Sequence, residues 1–330
     1  MRWAVVFMIV LAALALLVVG ESCGRDQAPS PPAVSATAPR SEKTAATQRQ
    51  PATAANGEML YIYDAPESPL DIRYQYHWDI LRTALQRTTP KWGPFRMEPA
   101  VFMGESRQTF ELKNATGKLT VMYLGTSPDL ERTLTPVRIP VDKNLGGYMV
   151  MLIRREDQAK FTAVQSLDDL KKFRIGLGLG WLDVDILRAN GFNVITGSSY
   201  EGLFDMLANN RFDAFSRAAV EILGEYDARQ DKVPDMAIEQ TFILYYPLPM
   251  YFWFTNTPDG ERLADRAREG MLAMIEDGTY DQIFFRYQRT KIDRLNLGAR
   301  RVFRIDNPLL KTLKVPFDDK RLWFDPTAAR

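Results

Sequence analysis

The sequence predicts an α/β fold built on a largely parallel sheet, and three observations support this. Between Ser166 and Phe215, stretches with apolar residues at helical spacing alternate with short apolar runs. That is the pattern of helices packed against buried strands. Ser166 and Ser198 each stand three residues ahead of an acidic residue, Asp169 and Glu201, at the start of such a stretch, which is the signature of a helix N-terminus. Hydrophobic residues make up 46% of the chain and aromatics 11%, enough for a packed core.

Taken in order, Glu58 to Asp64 (EMLYIYD) reads as an opening strand. Tyr74 to Thr88 places Trp78, Leu81 and Leu85 on one helical face. His77 beside Trp78 reads as a packed or helix-surface histidine. Phe95 to Glu98 and Leu119 to Leu124 read as strands, with a helix near Glu105 to Leu112 between them. After the cap at Ser166, Leu167 and Leu170 face inward. A strand over Arg174 to Leu179, a helix from Leu182 and a strand over Phe192 to Ile195 follow. The S-x-x-E box of Ser198 and Glu201 opens a helix carrying Leu203, Met206 and Leu207, and Phe212 to Phe215 is a short strand. Met250 to Phe254 (MYFWF) is an apolar strand followed by a helix from Asp259 through Ile275. Asp277-Gly278 stops that helix, and Tyr280 to Gln288 forms the last one. Lys291 to Arg330, with Pro308, Pro316 and Pro326, shows little periodicity.

The amino-terminal end is of a different kind. Arg2 precedes eighteen small and apolar residues, Trp3 to Gly20. A run of that length is either a signal peptide or a membrane anchor, and both send the rest of the chain out of the cytoplasm. Cys23 sits just past the run and resembles the lipidated cysteine of bacterial lipoproteins. Ser22 suits that pattern, and Gly20 and Glu21 depart from it. From Gly24 to Gly57 the only hydrophobic residues are nine alanines and Val34. Such a segment cannot bury enough apolar area to offset its ordering entropy and reads as a disordered linker.

Composition excludes several functions. Lys and Arg number 42 against 41 Asp and Glu, so nothing points to nucleic acid. One cysteine and one histidine build neither a disulfide framework nor a thiolate–imidazole metal site. No nucleophile–base pair stands out, so no enzyme and no cofactor are expected. The glycine run Gly176, Gly178, Gly180 has Trp181 where a dinucleotide loop needs its last glycine.

In their order and spacing, five stretches resemble the type 2 periplasmic solute-binding proteins, specifically the bacterial extracellular solute-binding family 3 that includes amino-acid receptors of ABC transport systems. They are TSPDLERTLTPVRIP, SLDDLKKFRIGLGLGW, GSSYEGLFDMLANNRFDAF, YPLPMYFWF and EDGTYDQIFFRY. The resemblance covers roughly residues 58 to 290 and implies two lobes of mixed sheet joined by a hinge. Lobe 1 would comprise 58–145 plus 245–290 and lobe 2 146–244, with 1–22 the export segment, 23–57 the linker and 291–330 a tail. A small polar or anionic solute would bind in the cleft and pass to a membrane permease. The alternative is an envelope module that senses a ligand or binds a partner without transport.

The same resemblance nominates site residues. Arg132 takes the place of the arginine that forks onto a ligand carboxylate, with Thr126 and Ser127 beside it. Gly180 and Trp181 form a turn at the mouth of lobe 2, where backbone N–H groups and an aromatic face meet a ligand. The family's receptors carry an aspartate after the strand that ends in Phe215; here Arg217 and Ala218 stand there, with Glu221 one turn later. That change favours a carboxylate-rich ligand held by Arg132 and Arg217. Tyr63 and Asp64 end the first strand, Tyr245, Tyr246 and Tyr251 lie near the return between lobes, and Arg300, Arg301 and Arg304 form a basic patch that reads as a solvated turn.

Overall fold

A computed structural model describes residues 57–66 and 75–328. The apolar run, Cys23 and the linker as far as Asn56 lie outside the described residues. Among those described, no helix is long and apolar enough to cross a membrane. In chain order, β1 (Met59–Tyr63), α1 (Gln75–Arg87), α2 (Thr89–Trp92), β2 (Phe95–Pro99), α3 (Glu105–Lys113), β3 (Val121–Gly125), α4 (Pro128–Thr133) and β4 (Leu134–Val137) come first. Then follow β5 (Tyr148–Arg154), α5 (Gln158–Thr162), α6 (Leu167–Leu170), β6 (Arg174–Gly178), α7 (Leu182–Ala189), β7 (Asn193–Gly197), α8 (Tyr200–Ala208), β8 (Ala214–Ala218), α9 (Ile222–Arg229), β9 (Met236–Ile238) and β10 (Phe242–Tyr245). The chain closes with β11 (Met250–Thr255), α10 (Pro258–Glu276), α11 (Thr279–Arg294) and β12 (Arg301–Arg304).

These strands form two bodies of sheet. On one side β11 lies between β3 and β4, and β1 pairs with β2. Thr120 links the two sheets, its N–H donating to the Ile62 carbonyl while its hydroxyl accepts from Ile62 N–H at 2.7 Å. On the other side the order is β12-β10-β5-β8-β6-β7, with β9 added to β5. The chain crosses between the sides over residues 138–147 and returns over 246–249. The sheets are mixed rather than largely parallel. β1/β2, β6/β7, β6/β8 and β10/β12 are parallel, while β5 and β11 run antiparallel to all their neighbours.

β5 (YMVMLIR) is the spine of the larger sheet and is buried along its whole length. Side chains alternate across a strand, and here Tyr148, Val150 and Leu152 enter one hydrophobic cluster while Met149, Met151 and Ile153 enter another. β11 divides likewise: Phe252 and Phe254 join the first cluster, Tyr251 and Trp253 a third. On the other layer α1 packs closely on α10. A Cβ at Gly270 would overlap the backbone of Ala84, so glycine sets that approach. Arg266 of α10, fully buried, donates to the Leu85 and Gly93 carbonyls at 3.2 and 2.8 Å, placing its charge where helix C-termini present free acceptors.

Helix starts follow the expected chemistry with one shift. Ser166 caps α6 by accepting from Asp169 N–H, and Thr257 caps α10 ahead of Pro258. Ser198 does not cap α8. Ser199 does, accepting from Gly202 N–H, and Glu201 pairs instead with Arg229 at 2.6 Å. His77 is buried and stacks on Tyr123 with ring centroids 3.6 Å apart. The basic residues after α11 are not a solvated turn. Arg301 and Arg304 lie in β12, and Arg300 is buried, donating to the carbonyls of Leu295 and Glu239. β12 thereby brings the chain end into the larger sheet.

Candidate functional site

The ends of β3, β6 and β8 converge between the two bodies. At the end of β6 the chain turns through Gly180, whose φ of +88° suits glycine. Trp181 then starts α7 and lays its indole back over Gly178, where any Cβ would collide with the ring. The Arg217 guanidinium, from the end of β8, lies 4.6 Å from the Trp181 ring centroid, a cation–π distance. Nε and Nη2 of Arg217 donate to Glu225 at 2.7 and 2.6 Å, and Nη2 also reaches Glu221 at 2.6 Å. These bonds leave Nη1 for a further acceptor. Burial opposes the charge on Arg217, but Glu221 and Glu225 outweigh it and hold its pKa above the ordinary value.

Around this group lies a cavity of ≈ 80 Å³, room for several waters. Tyr123, Gly125 and Met250 line it from one body, and Trp181, Asp183, Ser216 and Arg217 from the other. Ser216 is 2% exposed and its hydroxyl has no hydrogen-bond partner among the described residues. A buried hydroxyl in that state is costly unless something else satisfies it. The bodies meet closely here: a Cβ at Gly125 would lie 2.9 Å from Leu182. A second cavity of ≈ 310 Å³ opens outward, and Glu105 and Trp181 line both.

The residues nominated from sequence divide sharply. Trp181, Arg217 and Glu221 line the inner cavity and Asp64 the outer one, with Gly180 at the turn between β6 and α7. Arg132 lines neither. Its side chain is 73% exposed and pairs with Asp129 at 2.7 Å on the surface of α4, so Arg132 and Arg217 do not converge. Ser127 caps α4, and buried Thr126 takes the Pro249 carbonyl through its N–H and approaches Glu131 through its hydroxyl. Tyr63 packs on Trp78 with tilted rings 4.8 Å apart and lines a separate recess rather than either of these cavities. Tyr245 packs on Tyr148 with tilted rings, buried Tyr251 packs on Trp253, and Tyr246 donates its hydroxyl to Asp183.

Sequence reading did not nominate Ser216, Asp142, Asp183 or Glu105 as site residues. Asp142 is fully buried in the first crossing and accepts from Asn144 and Gly146 N–H at 3.0 and 2.8 Å. Burial pushes its carboxyl up to about 7, against those backbone bonds. Burial likewise raises Asp183, opposed by the Tyr246 hydroxyl. Because the folded pKa of Asp142 exceeds its unfolded value, the native state holds the extra proton between about pH 4 and 7. Its stabilising contribution is complete below that window and lost as pH rises through it. The expected slope approaches about 1.4 kcal/mol per pH unit. Urea unfolding of the wild type and Asp142→Asn at pH 5, 6 and 7 measures it: the variant should lack this slope, and parallel profiles would refute the assignment.

No family model and no curated protein sequence matches the chain. Solved structures do. An ancestral arginine-binding protein bound to arginine is 17% identical with a TM-score of 0.50, over 69% of this chain and 97% of that one. A histidine kinase sensor domain with similarity to periplasmic binding proteins is 15% identical with a TM-score of 0.49, over 70% and 95%. An amino-acid ABC transporter substrate-binding protein from Streptococcus pneumoniae bound to L-arginine is 11% identical with a TM-score of 0.49, over 72% and 96%. At such identities the likeness concerns architecture. With two bodies of mixed sheet, two crossings and a cavity between them, the chain has the two-lobed fold of type 2 periplasmic binding proteins.

Proposed function

We propose that the protein is an extracytoplasmic solute-binding protein that closes on a small polar or monoanionic solute and delivers it to an ABC-type transporter. The observation behind this reading is the buried Ser216 hydroxyl, without a hydrogen-bond partner among the described residues, in a cavity that Arg217 also lines and that both lobes enclose. The hydroxyl and Nη1, from successive residues of β8 and so on opposite faces of that strand, each offer a donor to an acceptor such as a carboxylate or carbonyl. A ligand touching both lobes stabilises the closed state by its differential affinity. A dicarboxylate does not fit, because Arg132 lies outside and Arg217 already serves two carboxylates. Export and tethering rest on the apolar run and Cys23. The test is thermal unfolding of the full-length protein against amino acids, mono- and dicarboxylates, sugars and short peptides. A bound solute raises the midpoint by mass action, and Ser216→Ala should shrink that rise at least twofold. A midpoint indifferent to every compound would refute the proposal.

One observation favours an envelope module that binds a partner or senses a ligand without transport. The chain end contacts both lobes and the first crossing: Phe324 N–H donates to the Lys143 carbonyl at 2.9 Å, and its ring packs on Phe284 of α11. A segment anchored in this way limits hinge opening, which suits a receptor with small excursions more than one that cycles fully.

A further inference from the structure

We infer that the solute carries an apolar extension, its polar head in the inner cavity and a hydrocarbon or aryl portion in the outer one; this rests on the binding reading above. The two cavities adjoin, Glu105 and Trp181 lining both, and the outer space of ≈ 310 Å³ exceeds the inner ≈ 80 Å³. A solute confined to the polar head would leave the outer cavity unused.

Apolar side chains line the outer cavity from both sides, among polar ones such as Asp64, Glu105, Ser198 and Tyr200. Phe102 and Met103 line it from the segment before α3, and Leu179 and Leu203 from the other lobe. Phe102 is 44% exposed and Leu179 66% exposed. Single exposed apolar side chains are ordinary, but these two belong to one cleft and neither enters a hydrophobic cluster of the core. Apolar side chains grouped at the mouth of a pocket mark a binding surface. Two of the polar neighbours are turned to other partners: Arg107 pairs with Glu111, and Gln108 donates to the Met103 carbonyl at 2.7 Å. Trp181 lines both cavities, with the Arg217 guanidinium over its ring.

Isothermal titration of the full-length protein with straight-chain monocarboxylates from acetate to octanoate tests this. Each buried methylene should tighten binding about fourfold until the outer cavity is filled. The double variant Phe102→Ser/Leu179→Ser should reduce that gain per methylene to below about twofold. If a solute of the panel binds but chain length makes no difference, or the series is equally steep in the variant, the inference is overturned and the binding reading stands. If nothing binds, both fall.

Discussion

Arg217→Met is expected to cost about 3–5 kcal/mol of stability and to abolish ligand-dependent stabilisation. The guanidinium is 6% exposed and is shared by Glu221 and by Glu225, itself 2% exposed. Tyr200 donates to Glu225 at 2.7 Å, which satisfies part of that carboxylate but does not neutralise it. Removing this cation leaves two neighbouring carboxylates with the charges of Lys291 and Arg229 still acting on them, and desolvation with mutual repulsion then favours protonation. The sign of the pH effect follows. In the variant a buried carboxylate takes up a proton that the unfolded chain releases, so stability rises as pH falls from 7 toward 5. Urea unfolding at both pH values measures this, and Glu225→Gln placed on the variant should recover part of the loss. A cost below about 1 kcal/mol, with no pH-dependent recovery, would mean that Arg217 is held by packing alone.

That group also shows what the sequence discloses and what it withholds. Arg217 was identifiable because it follows a recognisable strand, and strand ends in this architecture face the cleft. Arg132 had better local credentials, yet a helix surface and a cleft wall look alike in sequence, and α4 turns it to solvent beside Asp129. Asp142, Asp183 and Glu105 come from a crossing and two helix starts, with no shared spacing to announce that they meet. Most helices and strands of the two lobes were legible from apolar periodicity. β5 was not: buried on both faces, YMVMLI is a continuous apolar run without alternation, and such a run gives no period to detect. The cap of α8 slipped by one residue because adjacent serines offer the same hydroxyl, and only backbone geometry selects Ser199.

The chain end gives the other large effect: a protein stopped after Asn296 should fail to unfold cooperatively. Those last residues lack periodicity, since β12 spans only Arg301 to Arg304. Yet Leu297 and Leu322 enter one core cluster, and Phe303 and Ile305 the other. With Leu310 they are five side chains no more than 9% exposed. At about 1.5–3 kcal/mol for each buried apolar side chain, their gross contribution is comparable with the whole stability of a domain, about 5–15 kcal/mol. Truncation also strips β12 from β10 and bares a strand edge that invites association. Stopping instead after Leu310 keeps β12 and removes the contacts of Phe324 with Lys143 and α11. This shorter truncation should preserve cooperative unfolding while raising amide exchange across the first crossing, residues 138–147. The two truncations separate the roles of the segment. If the one at Asn296 unfolds as cooperatively as the full chain, the last residues are an appendage. If exchange at the crossing is unchanged by the one at Leu310, they do not restrain the hinge, and the argument for limited opening goes with them.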